Sequence, residues 1–323
     1  MNGKSPIFNR LALIGVGLIG SSIARAARAQ GAARTIVATA RSAATRRRVA
    51  ELGLADQVVE SNAAAVAGAD LVIVCIPVGV CGPVAKEIAA HLKAGAIVSD
   101  VGSVKGSVLR DMAPHLPKGV HFIPAHPVAG TEYSGPDAGF AELFVNRYCI
   151  LTPPQGADAT AIQKLTAFWS ALGANVETMT ADHHDLVLAI TSHLPHLIAY
   201  TIVGTADELG QVTRSEVLQF SAGGFRDFTR IAASDPTMWR DVFLANKDAV
   251  LEMLGRFNKD ISALTKAIRK DDGEALFNHF ARTRSIRKGI VEIGQDSAVP
   301  DFGRAHPHLP DAPLPRPYAA DND

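Results

Sequence analysis

Gly15-Val16-Gly17-Leu18-Ile19-Gly20 decides the fold, because it joins an apolar run at residues 11–14 to an amphipathic helical pattern at 21–30. In a strand–turn–helix setting the first glycine permits a tight turn and the second lets a ligand approach the backbone. The third allows the helix to pack closely. The helix N-terminus, with Leu18 and Ile19 beside Gly20, then offers backbone N–H groups that suit a pyrophosphate. The stretch predicts a dinucleotide-binding Rossmann domain.

Further apolar runs at 35–39, 71–76, 97–100, 121–123 and 149–152 alternate with helical patterns at 43–52, 80–91 and 104–112. That rhythm marks parallel strands with crossover helices. A helix at 159–172 and a strand at 175–177 complete the domain. From residue 181 the alternation stops, and 182–209, 237–270 and 273–294 carry apolar residues at helical spacing. The expected fold class is α/β: a Rossmann domain at 1–180 followed by an all-helical domain at 181–298. Much apolar helix surface in the second domain predicts pairing with a second copy, a homodimer. Residues 299–323, rich in proline and polar groups, read as a disordered tail.

The chain's 323 residues suffice for two domains, and 32 basic residues balance 32 acidic ones. A neutral balance argues against a nucleic-acid partner. Cys75, Cys81 and Cys149 lack metal-type spacing and read as reduced thiols, which points to the cytoplasm. Lys4 and Arg10 before the first apolar run imitate a secretory signal, but the glycine turn makes that run a buried strand. The longest other apolar run, 69–85, is interrupted by Pro77, Gly79, Gly82 and Pro83 and predicts no membrane helix.

Cofactor choice turns on the end of the second strand. An NAD site places an acid about twenty residues beyond the glycines; here the chain reads Ala38-Thr39-Ala40-Arg41-Ser42. Arg41 with the Ser42 hydroxyl suits a 2′-phosphate, so NADP is expected over NAD. The arginines at 46–48 read mostly as a solvated helix face, and Ile76 and Pro77 are expected on the cofactor side.

His126-Pro127-Val128-Ala129-Gly130 places one imidazole in a proline-stiffened loop. Histidine is the side chain best suited to take a proton near neutral pH, and a dinucleotide takes a hydride, so the pair predicts alcohol oxidation. Other segments join it: D-x-G-S-V-K at 100–105, H-P-x-A-G-T-E at 126–132, S-H-L-P-H at 192–196, G-G-F-x-D-F-T-R at 223–230 and S-D-P-x-M-W at 234–239. With these motifs, in this order, the chain resembles the TyrA family of prephenate and arogenate (cyclohexadienyl) dehydrogenases from about residue 10 to 295.

The resemblance implies oxidative decarboxylation of a cyclohexadienol that bears a hydroxyl across the ring from a carboxylate. It implies that His126 accepts the hydroxyl proton and that Ser103 orients both His126 and the nicotinamide. Arg230 would grip a substrate carboxylate, while His196, His193, Thr131 and Glu132 complete the substrate side. It also implies a short form with neither a fused mutase segment nor a regulatory domain. Prephenate and arogenate differ by a keto group against an ammonium, and Glu132 or Asp227 is a candidate to favour the ammonium.

Plainer readings accompany these. Ser103 suits an N-cap for the helix beginning near Val104, Lys105 suits an exposed helix position, and His183-His184 read as exposed. Trp239 reads as core packing, and Arg230 has Asp227 as a surface partner. His193 and His196 share a helix face, but no third metal ligand is evident, so no metal is expected. A β-hydroxyacid dehydrogenase would need a catalytic lysine where Gly223-Gly224 leads only to Arg226 and Arg230. An NADP-sensing regulatory protein would need no base such as His126.

Overall fold

The structure, a computed structural model, describes residues 5–131, 133–213 and 223–292. Glu132 and the tail at 299–323 lie outside the described residues. The first half alternates as expected: β1 (Phe8–Ile14), α1 (Leu18–Ala29), β2 (Ala33–Thr39), α2 (Ala43–Glu51), β3 (Gln57–Val58), α3 (Asn62–Val66), β4 (Leu71–Val74), α4 (Cys81–Ile88), β5 (Ile97–Asp100), α5 (Lys105–Met112) and β6 (His121–Phe122). These strands form one parallel sheet in the order β3-β2-β1-β4-β5-β6. The order reverses between β1 and β4, the switch point beside which such sheets bind ligands.

The central strands read as continuous apolar runs because both faces are covered. All four residues of β4 are buried. Ala12, Ile14, Val72, Val74 and Val98 pack with Val66, Ala85, Ile88, Val108 and Met112 from α3, α4 and α5. Elsewhere Phe8 meets Phe168 of α6 (Ala159–Ala171) edge-on, with ring centroids 5.8 Å apart. Each buried side chain of this size stabilises by roughly 1.5–3 kcal/mol.

His126 departs from the loop expected for it. It lies on β7 (Ala125–Pro127), which pairs antiparallel with β8 (Tyr148–Leu151), and β9 (Asn175–Thr178) pairs parallel with β8 in a separate three-stranded sheet. Its register opposite Ile150 fixes where the imidazole leaves the backbone.

The remaining described elements are helical: α7 (Ala181–Leu188), α8 (Leu194–Thr213), α9 (Gly223–Thr229), α10 (Pro236–Ala245), α11 (Lys247–Arg269) and α12 (Gly273–Glu292). Two segments that read as single helices are broken. A five-residue π turn, Ala189–His193, interrupts the first, and Asn246 separates α10 from α11 in the second. Ala181–Glu208 is long and apolar enough by composition to cross a bilayer. Its buried face, however, carries His184, Asp185 and His193 hydrogen-bonded to other elements.

By contacts the chain forms compact units at 1–261 and 262–323, so the first unit takes in helices beyond residue 180 as well. The reason within the first unit is that α7 packs on α5, and α10 packs on the turn Val78–Val80. In the second unit α12 exposes Phe277, Phe280 and Ile286.

Candidate active site

Gly15 has φ of +89°, and a Cβ there would meet the Cys75 carbonyl oxygen at 2.4 Å. A Cβ at Gly20 would meet the Gly15 carbonyl oxygen at 2.3 Å, so α1 packs against its own turn. At Gly17 a Cβ would meet nothing within 4 Å, leaving the backbone open to a ligand. No side chain caps α1 and no acid stands in its first turn. Leu18 and Ile19, both half-buried, open that helix. This donor set fits a dinucleotide pyrophosphate.

At the far end of β2, Arg41 is exposed, while Ser42 caps α2 by accepting the Thr45 N–H at 3.0 Å. Arg46 folds back onto the carbonyls of Ala40 and Arg41 at 2.8 and 3.2 Å. Arg48 is bound to Asp137 and Glu51. Arg41 thus faces solvent at the turn while two of its neighbours are engaged elsewhere. Ile76 is half-buried against the core below α4, and Pro77 is exposed beside it.

The D-x-G-S-V-K segment holds two surprises. Lys105, unassigned from sequence because an exposed helix position fitted equally well, is 0% exposed and donates from Nζ to Asp100 Oδ2 at 2.5 Å and to the Ala125 carbonyl at 2.7 Å. Asp100 in turn accepts the Ala125 N–H at 3.2 Å and the Gly102 N–H at 2.8 Å. The ion pair therefore clamps both backbone polar groups of the residue preceding His126. Removing one partner of such a buried pair costs about 3–5 kcal/mol. Ser103 is half-buried and does not cap α5. The cap comes from eighty positions away: Asp185 accepts the N–H groups of Lys105 and Gly106 at 2.7 and 2.8 Å. Position 106 has to be small, since a Cβ there would stand 2.9 Å from Asp185 Oδ2.

His126 is 8% exposed, and its Nδ1 lies 2.8 Å from Nε2 of His184. His184, expected at the surface, is fully buried, and its Nδ1 lies 2.8 Å from Asp185 Oδ1. Burial, then the nearby His184, Lys105 and His193, holds the His126 imidazole well below the usual histidine range. His126 is consequently neutral at physiological pH, the form that accepts a proton. Burial also lowers His184, against the opposing pull of its Asp185 hydrogen bond.

His193 is buried with Nδ1 3.1 Å from Asn246 Nδ2, which also donates to the Asp185 carbonyl at 2.8 Å. Burial pushes it down to about 4, with Asp185 and the Ser103 backbone opposing. Its Nε2 has no hydrogen-bond partner among the described residues. His196 donates from Nδ1 to the Ser192 carbonyl at 2.9 Å and stacks on Trp239 with centroids 3.6 Å apart. Trp239 is buried, but besides packing with Val104 it forms the wall behind His196. Arg230, exposed in the turn Arg230–Ala233, lowers His196 by its charge after burial has done so. Asp227 pairs with Arg226 at the surface. Thr131 is half-buried and accepts the Tyr133 N–H at 3.3 Å.

The fold thus joins His126 to His184 and His193 to Asn246, and brings the Arg230 charge within range of His196. His184, Asp185 and Asn246 were not anticipated, and Asp100 and Lys105 stood in a quoted motif without an assigned role. One signal was available: His184 and Asp185 stand one turn before Leu188 and Ala189, which are buried.

Two family models cover the chain: "prephenate dehydrogenase, nucleotide-binding domain" over residues 23–178 and "prephenate dehydrogenase, dimerization domain" over 180–282. The cyclohexadienyl dehydrogenase of Zymomonas mobilis is 43% identical, matching 88% of this chain and 97% of its own length. The prephenate dehydrogenase of Bacillus subtilis is 34% identical, over 93% and 81%. The crystal structure of prephenate dehydrogenase from Aquifex aeolicus with hydroxyphenyl propionate and NAD+ aligns with a TM-score of 0.80 and 32% identity, covering 87% of this chain and 98% of that one.

Proposed function

The chain belongs to the prephenate dehydrogenase family, and from that premise we propose that it oxidises and decarboxylates prephenate to 4-hydroxyphenylpyruvate, arogenate to tyrosine, or both. The carrying observation is a buried, neutral imidazole, His126, whose preceding residue is held by the Asp100–Lys105 clamp.

When bound, the dinucleotide would supply the hydride acceptor; Gly15, Gly17 and the N–H groups of Leu18, Ile19 and Gly20 would hold its pyrophosphate, and Ile76, Pro77 and Ser103 would lie on its nicotinamide side. His126 accepts the proton as the ring O–H bond breaks and the carbinol C–H pair departs as hydride. The ring carboxylate then leaves as carbon dioxide, its bonding pair completing the aromatic ring. Arg230 grips a carboxylate with a planar fork, and His196, braced by Trp239, faces the substrate from the helical side. His193 and Thr131 line that side too in this reading, and Glu132 and Asp227 are the two candidate acids for a side-chain ammonium.

We favour NADP because the β2–α2 turn offers Arg41 and the Ser42 hydroxyl and no carboxylate. NAD is the alternative, and the Aquifex relative binds it. The exposed apolar residues of α12 and the matched dimerization domain support a homodimer. The neutral charge balance gives no electrostatic support for a nucleic-acid partner, and three cysteines without metal-type spacing support a reducing, cytoplasmic setting.

Steady-state kinetics over prephenate or arogenate with NAD or NADP tests the reading, with reduced cofactor followed at about 340 nm. Turnover of either substrate, fastest with NADP, is expected. Tight cofactor binding with no turnover would favour a sensor. Sedimentation of the same sample reads the dimer.

A further inference from the structure

The line from Asp185 Oδ1 through His184 to His126 Nδ1 consists of two contacts of 2.8 Å each, both buried. A carboxylate oxygen only accepts, so His184 carries its proton on Nδ1 and donates it to Asp185. A neutral imidazole protonated at Nδ1 has a lone pair at Nε2. That lone pair accepts the Nδ1–H of His126, and the basic nitrogen of His126 is then Nε2.

We infer that His184 and Asp185 are positioning residues that fix His126 in the Nδ1–H tautomer, leaving Nε2 as the base, and that face its imidazolium with a carboxylate two hydrogen bonds away. The inference rests on His126 being the base of the proposed reaction. During turnover the substrate O–H proton moves to His126 Nε2 while Nδ1–H stays on His126, hydrogen-bonded to His184. No proton passes to Asp185, which balances the charge through the hydrogen bonds, as the buried acid of a Ser-His-Asp triad does.

The same carboxylate caps α5 and is itself fixed, because Asn246 binds the Asp185 backbone carbonyl. The groups around His126 are His184 and Asp185 from α7, His193 from the π turn, and Asp100 and Lys105 across β5 and α5. Among them Lys105, paired with Asp100, opposes a positive charge on His126, and Asp185 is the carboxylate aligned with it through His184.

Imidazole nitrogen NMR of the ¹⁵N-histidine-labelled full chain, with His126 assigned from the His126→Asn spectrum, reads the tautomer without turnover. The Nδ1–H form is expected in the unsubstituted protein and its loss in His184→Phe. In kinetics, His184→Phe should lower kcat by about 10²–10³-fold while cofactor affinity is unchanged. His184→Gln, whose amide oxygen can still accept the Nδ1–H, should recover about tenfold or more of that loss. An Nε2–H tautomer in the unsubstituted protein, or equal loss in the Phe and Gln variants, overturns the inference. Near-normal turnover in His126→Asn would instead overturn the proposed reaction and leave the tautomer result standing.

Discussion

At the scale of single residues, His126 is defined by what surrounds it more than by its own chemistry. His126→Asn removes the proton acceptor, and kcat should fall by roughly 10²–10⁴-fold. Cofactor affinity, set at the glycine turn, should hold, as equilibrium fluorescence titration would check. Near-normal kcat would remove the base from the mechanism. Sequence singled the residue out through the company of its motif, since a loop histidine beside proline serves structure equally well and only the ordered set of segments from 100 to 239 points to a base. The burial of Lys105 was not legible. A lysine in a helix pattern reads as solvated, and only tertiary packing, with Asp100 five positions earlier and Ala125 on a separate strand, makes it a buried clamp.

At the scale of elements, the parallel strands were legible because burial on both faces leaves a plain apolar run, as in β4. β7 was missed because three residues carry no periodicity, and its pairing with β8 spans more than twenty positions. The breaks at Ala189–His193 and Asn246 were missed for a different reason. Apolar spacing continues through both, and the cause of the second is a side chain that bonds to Asp185 and His193. The β2–α2 turn carries its own prediction. Arg41→Asp should shift the ratio of kcat/KM for NADP over NAD toward NAD by tenfold or more, since a charge-assisted contact of about 1.5–3 kcal/mol becomes a repulsion. An unchanged ratio would mean that another group reads the 2′ position.

At the scale of the whole molecule, burial of His126, His184 and His193 in neutral form links stability to pH. All three have folded-state pKa values below their usual 6.5, and His193 is pushed down to about 4. The unfolded chain binds these protons first, so stability is complete above about 6.5 and falls as pH drops below it. The loss levels off only near the folded pKa. For His193 alone the window from about 6.5 to about 4 is worth ~3 kcal/mol. Thermal unfolding should therefore move to lower temperature between pH 7 and pH 5, and a flat profile would show that the histidines are not neutral inside.

Asp185 has a consequence for anyone who wants to change this protein. One carboxylate closes the start of α5 and anchors the histidine pair behind the reacting nitrogen. Heat tolerance and turnover therefore share an atom there. Directed evolution that relaxes position 185 in search of speed loses shelf life in the same step. A library meant to separate the two properties should hold 185 constant and vary the turn around Arg41.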